Sequence, residues 1–323
     1  MHTAKSLRLA ALALGLAAIA TAPARAADTV VVGTVGSASA NLWPAFIGIN
    51  KGFFAEQGLK IDLVYIQSSA QVIQQLTSGS LDITMSTGLV DPIRAIEKGS
   101  PIAIVRLEAQ SPPYALVAKP EIKSLKDLKG KTISVGGPKD ITRIYVERML
   151  APSGVKPGEF DMAFAGATTA RAQALLSGAV DAAILLPPSN FQAMAQGYNE
   201  LGPTVDFAPE LPFSGTVVNL DWAKAHQDLM KRVLAGHAKA VAWFEDDRNR
   251  AEAVRIMVEA SKLKTDEVEK AYDFFRKGKY FEPTGRISRK KLGALIDALV
   301  SLGDIPKIEV ERLVLPGVTQ MAD

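Results

Sequence analysis

The feature that most constrains this chain is a segment that occurs twice. Gln74-Gln-Leu-Thr-Ser-Gly-Ser-Leu-Asp82 can be laid on Gln173-Ala-Leu-Leu-Ser-Gly-Ala-Val-Asp181 without a gap, with Gln, Leu, Ser, Gly and Asp in the same places. The residues ahead of each copy also line up, 64–69 on 163–168. Each copy reads as a helix end, a glycine stop and a strand start. Such punctuation is common enough to arise by convergence. By either route the chain contains two similar α/β units.

The surrounding pattern agrees. Strands are predicted over 29–35, 60–66, 83–85 and 102–107, with helices over 41–50, 72–76 and 91–97 between them. Pro44 falls in a first helical turn, where proline is tolerated. From Tyr114 the alternation restarts, with strands over 114–118, 132–135, 161–164 and 182–186 and helices over 141–150 and 170–176. Alternation of this kind builds a mostly parallel sheet covered on both faces. Residues 207–212 contain Pro209 and Pro212 and no helical period, so they read as a return crossing, followed by a strand over 214–220. The remainder shows helical spacing over 222–244, 250–260, 265–277 and 288–302, with Thr265 and Ser288 as N-caps. These helices have no strands between them and are expected to pack around the first unit. The expected organisation is a two-lobed α/β protein. Lobe 1 is discontinuous, 27–111 plus 214–323, and lobe 2 is 112–213.

The first 26 residues stand apart. Lys5 and Arg8 precede an apolar run over 9–22, and Ala24-Arg-Ala26 supplies a small-x-small site, so a secretory signal peptide cut after Ala26 is expected. The run is shorter than the roughly 20 apolar residues of a membrane span. Removing Lys5, Arg8 and Arg25 from the 37 basic residues leaves 34, equal to the 34 acidic ones. No positive surplus remains to suggest nucleic acid or an anionic membrane. The chain has no cysteine, which excludes disulfides, thiolate metal sites, a cysteine nucleophile and a lipid-modified amino-terminal cysteine. An exported chain of this length can hold a core without staples. A soluble, monomeric periplasmic protein is expected.

The stretch Trp43-Pro-Ala-Phe-Ile-Gly-Ile-Asn-Lys-Gly-Phe-Phe-Ala-Glu-Gln-Gly-Leu-Lys-Ile-Asp62 resembles the opening of type II periplasmic binding proteins. The similarity is to the branch serving sulfonate, nitrate and thiamine-precursor importers. Leu125-Lys-Asp-Leu-Lys-Gly-Lys-Thr-Ile-Ser-Val135, Leu175-Leu-Ser-Gly-Ala-Val-Asp-Ala-Ala183 and Leu186-Pro-Pro-Ser-Asn190 look like the same family. The resemblance covers 28–220 well and the helical remainder loosely. It implies two lobes joined by two hinge strands, here near 110–113 and 209–214. A small-molecule ligand is held in the cleft, and the closed form docks transiently on an inner-membrane ABC permease and its ATPase.

Ligands of open α/β sheets bind at the carboxyl ends of strands, where helix N-termini offer free N–H groups and partial positive charge. Six loops lie there: 36–41 with Ser37, Ser39 and Asn41; 67–69 with Ser68; Ser86, Thr87 and Gly88; 136–143 with Gly137, Asp140, Thr142 and Arg143; 166–168 with Gly166; and 187–190 with Pro187 and Pro188. All but the last are rich in Gly, Ser and Thr, which admit a ligand to the backbone or, alternatively, only cap helices. Arg143 could clamp a carboxylate or sulfonate, or pair with Glu147 one turn on. Asp140 could cap its helix or meet a ligand donor. Trp43 could stack on a flat ligand or pack in the core. Gln110 sits at a predicted hinge, within reach of the cleft or of solvent.

Other chemistries lack their signatures. The glycines at 33, 36, 136 and 137 do not form a dinucleotide fingerprint, and there is no P-loop. His226 and His237 have no companion ligands in sequence, so no metal is expected. No nucleophile elbow is visible. The cysteine-rich motif of a related eukaryotic lineage that makes a thiamine pyrimidine is absent. The expectation is a solute-binding component of an ABC importer, without cofactor and not an enzyme. Its expected ligand is a small organic anion such as a sulfonate or carboxylate. The alternatives are a thiamine-pyrimidine-type heterocycle, or a sensing subunit that docks on a receptor.

Overall fold

A computed structural model describes residues 27–37 and 39–323; residues 1–26, where the signal peptide is expected, and Ala38 lie outside the described residues. Two sheets organise the chain. The first contains β1 (Asp28–Val35), β2 (Leu59–Ile66), β3 (Ile83–Thr84), β4 (Thr87–Gly88), β5 (Ile102–Ala109) and β11 (Ser214–Asn219), in the order β2-β1-β3-β11-β4 with β5 also paired to β11. The second contains β6 (Ala115–Ala118), β7 (Thr132–Val135), β8 (Asp161–Phe164), β9 (Ala182–Leu185) and β10 (Asn199–Pro203), in the order β10-β6-β9-β7-β8.

In each sheet the strands linked through helices run parallel, β2-β1-β3 and β8-β7-β9. Antiparallel pairs are added where the chain passes between sheets. β11 runs against β3, β4 and β5, and β6 runs against β9 and β10. No helix separates β5 from β6, so β6 enters its sheet from the opposite direction. The passages themselves are residues 110–114 and 204–213.

The first sheet is flanked by α1 (Trp43–Asn50), α2 (Ser69–Thr77) and α3 (Val90–Glu97), the second by α4 (Ile141–Leu150), α5 (Thr168–Leu176) and α6 (Ser189–Ala195). The repeated segment is one device used twice. Ser78 and Ser177 end α2 and α5, and Gly79 and Gly178 follow at φ 77° and 78°, the left-handed region that glycine enters without a Cβ clash. The closing aspartates then reach a neighbouring strand. Asp82 accepts from the Val31 amide at 3.3 Å, and Asp181 from the Thr132 amide at 3.0 Å.

The carboxyl-terminal part is helical as the periodicity predicts, with α7 (Leu220–Ala225), α8 (Gln227–Phe244), α9 (Arg250–Ser261), α10 (Thr265–Gly278) and α11 (Arg289–Ser301). A break at His226 divides the expected 222–244 helix. Ser288 caps α11, accepting from the Lys291 amide at 3.2 Å. Thr265 is already inside α10, and Lys264 before it supplies no side-chain cap. β10 and β4 are strands that the pattern did not show, one short and edge-placed, the other two residues long.

Trp43 explains how the late helices join the first unit. Its ring is fully buried against Phe244, Tyr272 and Phe275, with centroids 5.4, 5.8 and 6.5 Å away. Its Nε1 donates to the Ala253 carbonyl at 2.8 Å. α1 and α8 approach closely because Gly48 and Gly236 leave room for the Phe54 ring between them; a Cβ at either would lie within 2.4 or 2.6 Å of it. α10 also reaches the second unit, where Gln192 of α6 donates to Glu267 at 2.8 Å and Phe191 meets Phe274. The late helices thus touch both units, not the first alone.

Candidate functional site

The carboxyl ends of the parallel strands of both sheets point at one cavity of about 710 Å³, its open mouth included. From the first unit it is bordered by Ser37, Ser39, Asn41, Ser68, Ser69, Ser86 and Gly88, and from the second by Gly136, Asp140, Ile141, Gly166 and Arg171, with the 167–169 turn and Leu186, Pro187 and Ser189 beside them. Tyr114 and Phe213, one from each passage between the sheets, complete it. They stack edge to face at 5.0 Å and are buried. Burial raises the Tyr114 phenol well above its usual pKa, so it is neutral and can donate.

The two units meet across this cavity. The Ala40 amide donates to the Pro187 carbonyl at 3.2 Å. Gly166, at φ 66°, leaves space for the Gln67 carbonyl, which a Cβ would approach to 2.9 Å. The cavity is therefore enclosed by both lobes, with backbone in contact at its rim.

The helices α2, α4, α5 and α6 begin at the cavity. Ser68 caps α2, accepting from Gln71 at 3.3 Å, and Asp140 caps α4, accepting from Thr142 at 2.9 Å. No side chain caps α5, whose first residues border the cavity, so its amides keep their partial positive charge toward the interior.

Arg171, on α5, is the cation of the site. It is 3% exposed. Nε donates to the Ile184 carbonyl at 2.8 Å, one terminal nitrogen to the Gly166 carbonyl, and the other to Thr168 Oγ1 at 2.7 Å. The guanidinium lies over the Tyr114 ring at 5.7 Å. Among the described residues no carboxylate comes within ion-pair distance of it. A guanidinium has five N–H donors; two carbonyls and the Thr168 hydroxyl take three, and the Tyr114 hydroxyl is a further side-chain partner. Arg171 borders the cavity, whose lining also includes the Asp140 carboxylate, beyond ion-pair distance of it.

Two acceptors opposite are also unsatisfied among the described residues. Ser39 Oγ and Asn41 Oδ1 are buried without a hydrogen-bond partner. Asn41 is held through its other atom, donating from Nδ2 to the Ser86 carbonyl at 3.3 Å. Ser86 has φ 54°, a left-handed conformation that a serine adopts at some cost. Glu108 holds it there, accepting from the Ser86 amide and hydroxyl, both at 2.8 Å, and from the Thr216 hydroxyl. Burial raises the Glu108 pKa against these bonds.

Several sequence candidates lie elsewhere. Trp43 is core, as above. Arg143 pairs with Glu147 at 2.8 Å and donates to the Pro138 carbonyl at 2.9 Å, on the outer face near Phe160 and Phe164. Thr142 is buried and braces its loop, accepting from the Gly136 amide and donating to Asp140. Gly136 rather than Gly137 borders the cavity. Thr87 points back to the Met85 carbonyl. Gln110 ties its passage to the Lys279 carbonyl at 3.0 Å. Pro188 precedes α6, behind Pro187. Ser37, Ser39, Asn41, Ser68, Ser86, Gly88, Asp140, Gly166 and Pro187 are brought together at the cavity. Arg171, Tyr114 and Phe213 were not anticipated; Arg171 was hidden one turn inside a helix, beyond the loops inspected.

Relatives share parts of this chain. It is 25% identical over 144 residues to a 4-amino-5-hydroxymethyl-2-methylpyrimidine phosphate synthase of Saccharomyces cerevisiae, a match covering 44% of this chain and 41% of the relative. It is 31% identical over 94 residues to the formylaminopyrimidine-binding protein of Halalkalibacterium halodurans, 28% of each chain. The matches thus span under half the length of these curated relatives. Whole-chain likeness is structural. The alkanesulfonate-binding protein of Xanthomonas axonopodis pv. citri bound to MOPS superposes with TM-score 0.74 over 91% of this chain and 98% of its own, at 18% identity. A Candida albicans protein described as having the generic periplasmic binding protein structural fold gives 0.70 over 91% and 97%, at 16% identity. The model of the family described as NMT1/THI5 like matches residues 39–251, about two-thirds of the chain. The chain therefore has the periplasmic binding protein fold and belongs to the NMT1/THI5-like family.

Proposed function

We propose that this protein is the periplasmic solute-binding component of an ABC-type importer, and that it captures a small organic anion between two lobes, 27–111 plus 214–323 and 112–213. The observation that carries this reading is Arg171: a buried guanidinium beside a cavity lined by both units, with no carboxylate within ion-pair distance among the described residues. Leaving a buried charge unpaired is costly, and a ligand carboxylate or sulfonate would supply the missing partner at the uncapped start of α5. Ser39, Asn41 and Ser86 would orient the rest of the molecule from the opposite lobe. The alkanesulfonate-binding neighbour supports the ligand class by analogy of fold. A permease and ATPase follow from the same analogy.

Binding without chemistry fits the lining. Ser86 is a cavity-lining hydroxyl bonded to a carboxylate, and Glu108 already holds it. His237, also buried, lies 3.8 Å from the far oxygen of Glu108 and outside the cavity. A pyrimidine ligand is the second reading, favoured by the names of the two curated relatives, with Asp140 as acceptor for a ring amine. A thermal-shift panel of sulfonates, carboxylates and aminopyrimidines tests both. A ligand at 100 times its Kd stabilises by about 2.7 kcal/mol, a shift of several degrees for a protein of this size. Stabilisation by aminopyrimidines alone would replace the anion reading with the second, and no shift by any class would remove both.

A further inference from the structure

Beside the cavity, the seam between the units carries a charged cluster. Arg94 of α3 is 9% exposed. One terminal nitrogen donates across the seam to the Lys139 carbonyl and lies 3.5 Å from Asp91. The other donates to Asp304, beyond α11, at 2.5 Å. Lys139 leads directly into Asp140, the α4 cap that borders the cavity. Asp91 thus faces Arg94 on its own helix, Ser69 of α2, and Asp140 across the seam. Lys98 lines the same outer groove, and Lys139 is exposed. At the centre, one guanidinium meets two carboxylates, Asp91 and Asp304, and the Asp140 carboxylate of the second unit acts on Asp91.

We propose that Asp91 and Arg94 form a proton-sensitive latch, in which Arg94 grips the Lys139 carbonyl when the lobes close and Asp91 takes up a proton as it meets Asp140. The inference rests on the reading of two lobes that close. Burial, and next the Asp140 charge, raise the Asp91 pKa to about 6, although Ser69 and Arg94 oppose the shift. With the lobes apart, Asp91 loses Asp140 and part of its burial, and its pKa falls toward the ordinary carboxylate value. The closed form therefore binds the proton more tightly. Closing is favoured below the open-form pKa, and this advantage is lost as pH rises through about 6. Above roughly pH 7, Asp91 is ionised in both forms and closing meets the full repulsion.

The chain has no cysteine, so a Y65C/F164C pair can be labelled cleanly. These side chains are 46% and 54% exposed, at the carboxyl ends of β2 and β8 in opposite units. Single-molecule energy transfer between the labels reads lobe separation in the free protein at pH 7.5 and 5. The closed-to-open ratio should rise on acidification, by at most about tenfold per pH unit. D91N, which keeps the contacts of Arg94, should be insensitive to pH and at least as closed at 7.5 as the parent is at 5, since the parent gains the full advantage only below its open-form pKa. R94M should be more open at both. A parent with the same separation at both pH values, or a D91N protein that titrates like the parent, overturns the latch even if R94M folds poorly. Because no ligand is added, failure here leaves the anion reading untouched, and that reading can fail while the latch titrates as expected.

Discussion

Replacing Arg171 with methionine keeps an unbranched, buried side chain and removes the charge. Two effects on the free protein oppose each other. The Ile184 and Gly166 carbonyls lose their donor, and a buried polar group left unsatisfied costs about 1–3 kcal/mol. Against that, a buried cation without a carboxylate partner disappears, and apolar replacement of buried charge is often neutral or stabilising by about 1–4 kcal/mol. The variant should therefore fold, with stability within a few kcal/mol of the parent. Binding has no such compensation. Truncating one member of a desolvated charged pair costs about 2–5 kcal/mol, which at about 1.4 kcal/mol per decade is roughly a 30- to 4,000-fold rise in Kd. The assay is calorimetric titration with the anion that stabilises the parent most in the thermal-shift panel, repeated with its neutral amide analogue. The parent should prefer the anion, and Arg171→Met should abolish the preference while changing amide affinity little. Arg171→Lys keeps the charge but cannot span both carbonyls and Thr168 with one planar fork, so it should fall between. An Arg171→Met protein with a normal melting temperature and a Kd for the anion within threefold of the parent would refute the reasoning.

Three further outcomes follow from the placement of other residues. Arg143→Ala should leave the Kd unchanged in the same titration and cost about 1 kcal/mol or less in denaturant unfolding, because Arg143 is itself exposed and its pair with Glu147, one helical turn away, is only partly buried. Trp43→Ala should cost about 3–5 kcal/mol of stability, as large buried aromatics do, with binding preserved in whatever fraction stays folded. His237 is buried, and burial, followed by the nearby Arg106 charge, holds its pKa well below the usual imidazole value. It stays neutral in the folded state as pH falls through about 6.5, while the unfolded chain protonates, so its contribution to stability is lost on acidification, up to about 1.4 kcal/mol per pH unit. Urea titrations at pH 7 and 5 should show this loss in the parent and a smaller one in His237→Leu.

Much of the architecture could be read from the chain because it rests on local signals. The strand runs, the glycine stops and the late helical periods fall where the elements lie, and the six loops converge because parallel strands present the same end. What could not be read depends on distant neighbours. β10 is a short edge strand with Gly202 and Pro203 in it, so its composition argues for a turn. The strand direction of β6 and β11 follows from the absence of an α-helix in each passage, a property of the path and not of the residues. Trp43 looked like a ligand platform from its position near a loop, yet the helices that bury it begin some 180 residues later in the chain. Arg143 looked like the charged residue of the site because it stood in a glycine-rich loop, and the helix turned its side chain outward to Glu147.

Arg171 was legible after all, in the repeat itself. The two copies keep the same spacing throughout, so Ser69–Thr77 and Thr168–Leu176 are the same helix in two units and Val72 corresponds to Arg171. Val72 is fully buried, as the helix period demands of that position. A guanidinium at the equivalent place in the second unit must be buried too, since the helix, its glycine stop and the following strand recur at the same spacing. Burial of a charge has to be compensated by carbonyls, by a carboxylate or by something that arrives from outside. The structure supplies the carbonyls and, among the described residues, no carboxylate. The departure from the repeat, more than the repeat, therefore marks where the two units stopped being equivalent. It also predicts an asymmetric experiment. Val72→Arg should destabilise the first unit by several kcal/mol, because no Gly166-type carbonyl stands opposite: position 166 corresponds to Gln67, whose backbone oxygen is already turned toward Gly166 across the seam. Arg171→Val should instead be tolerated in folding and lose the anion. If Val72→Arg unfolds at the same urea concentration as the parent, the second unit holds its arginine by nothing that the first unit lacks, and the case for a built anion site weakens with it.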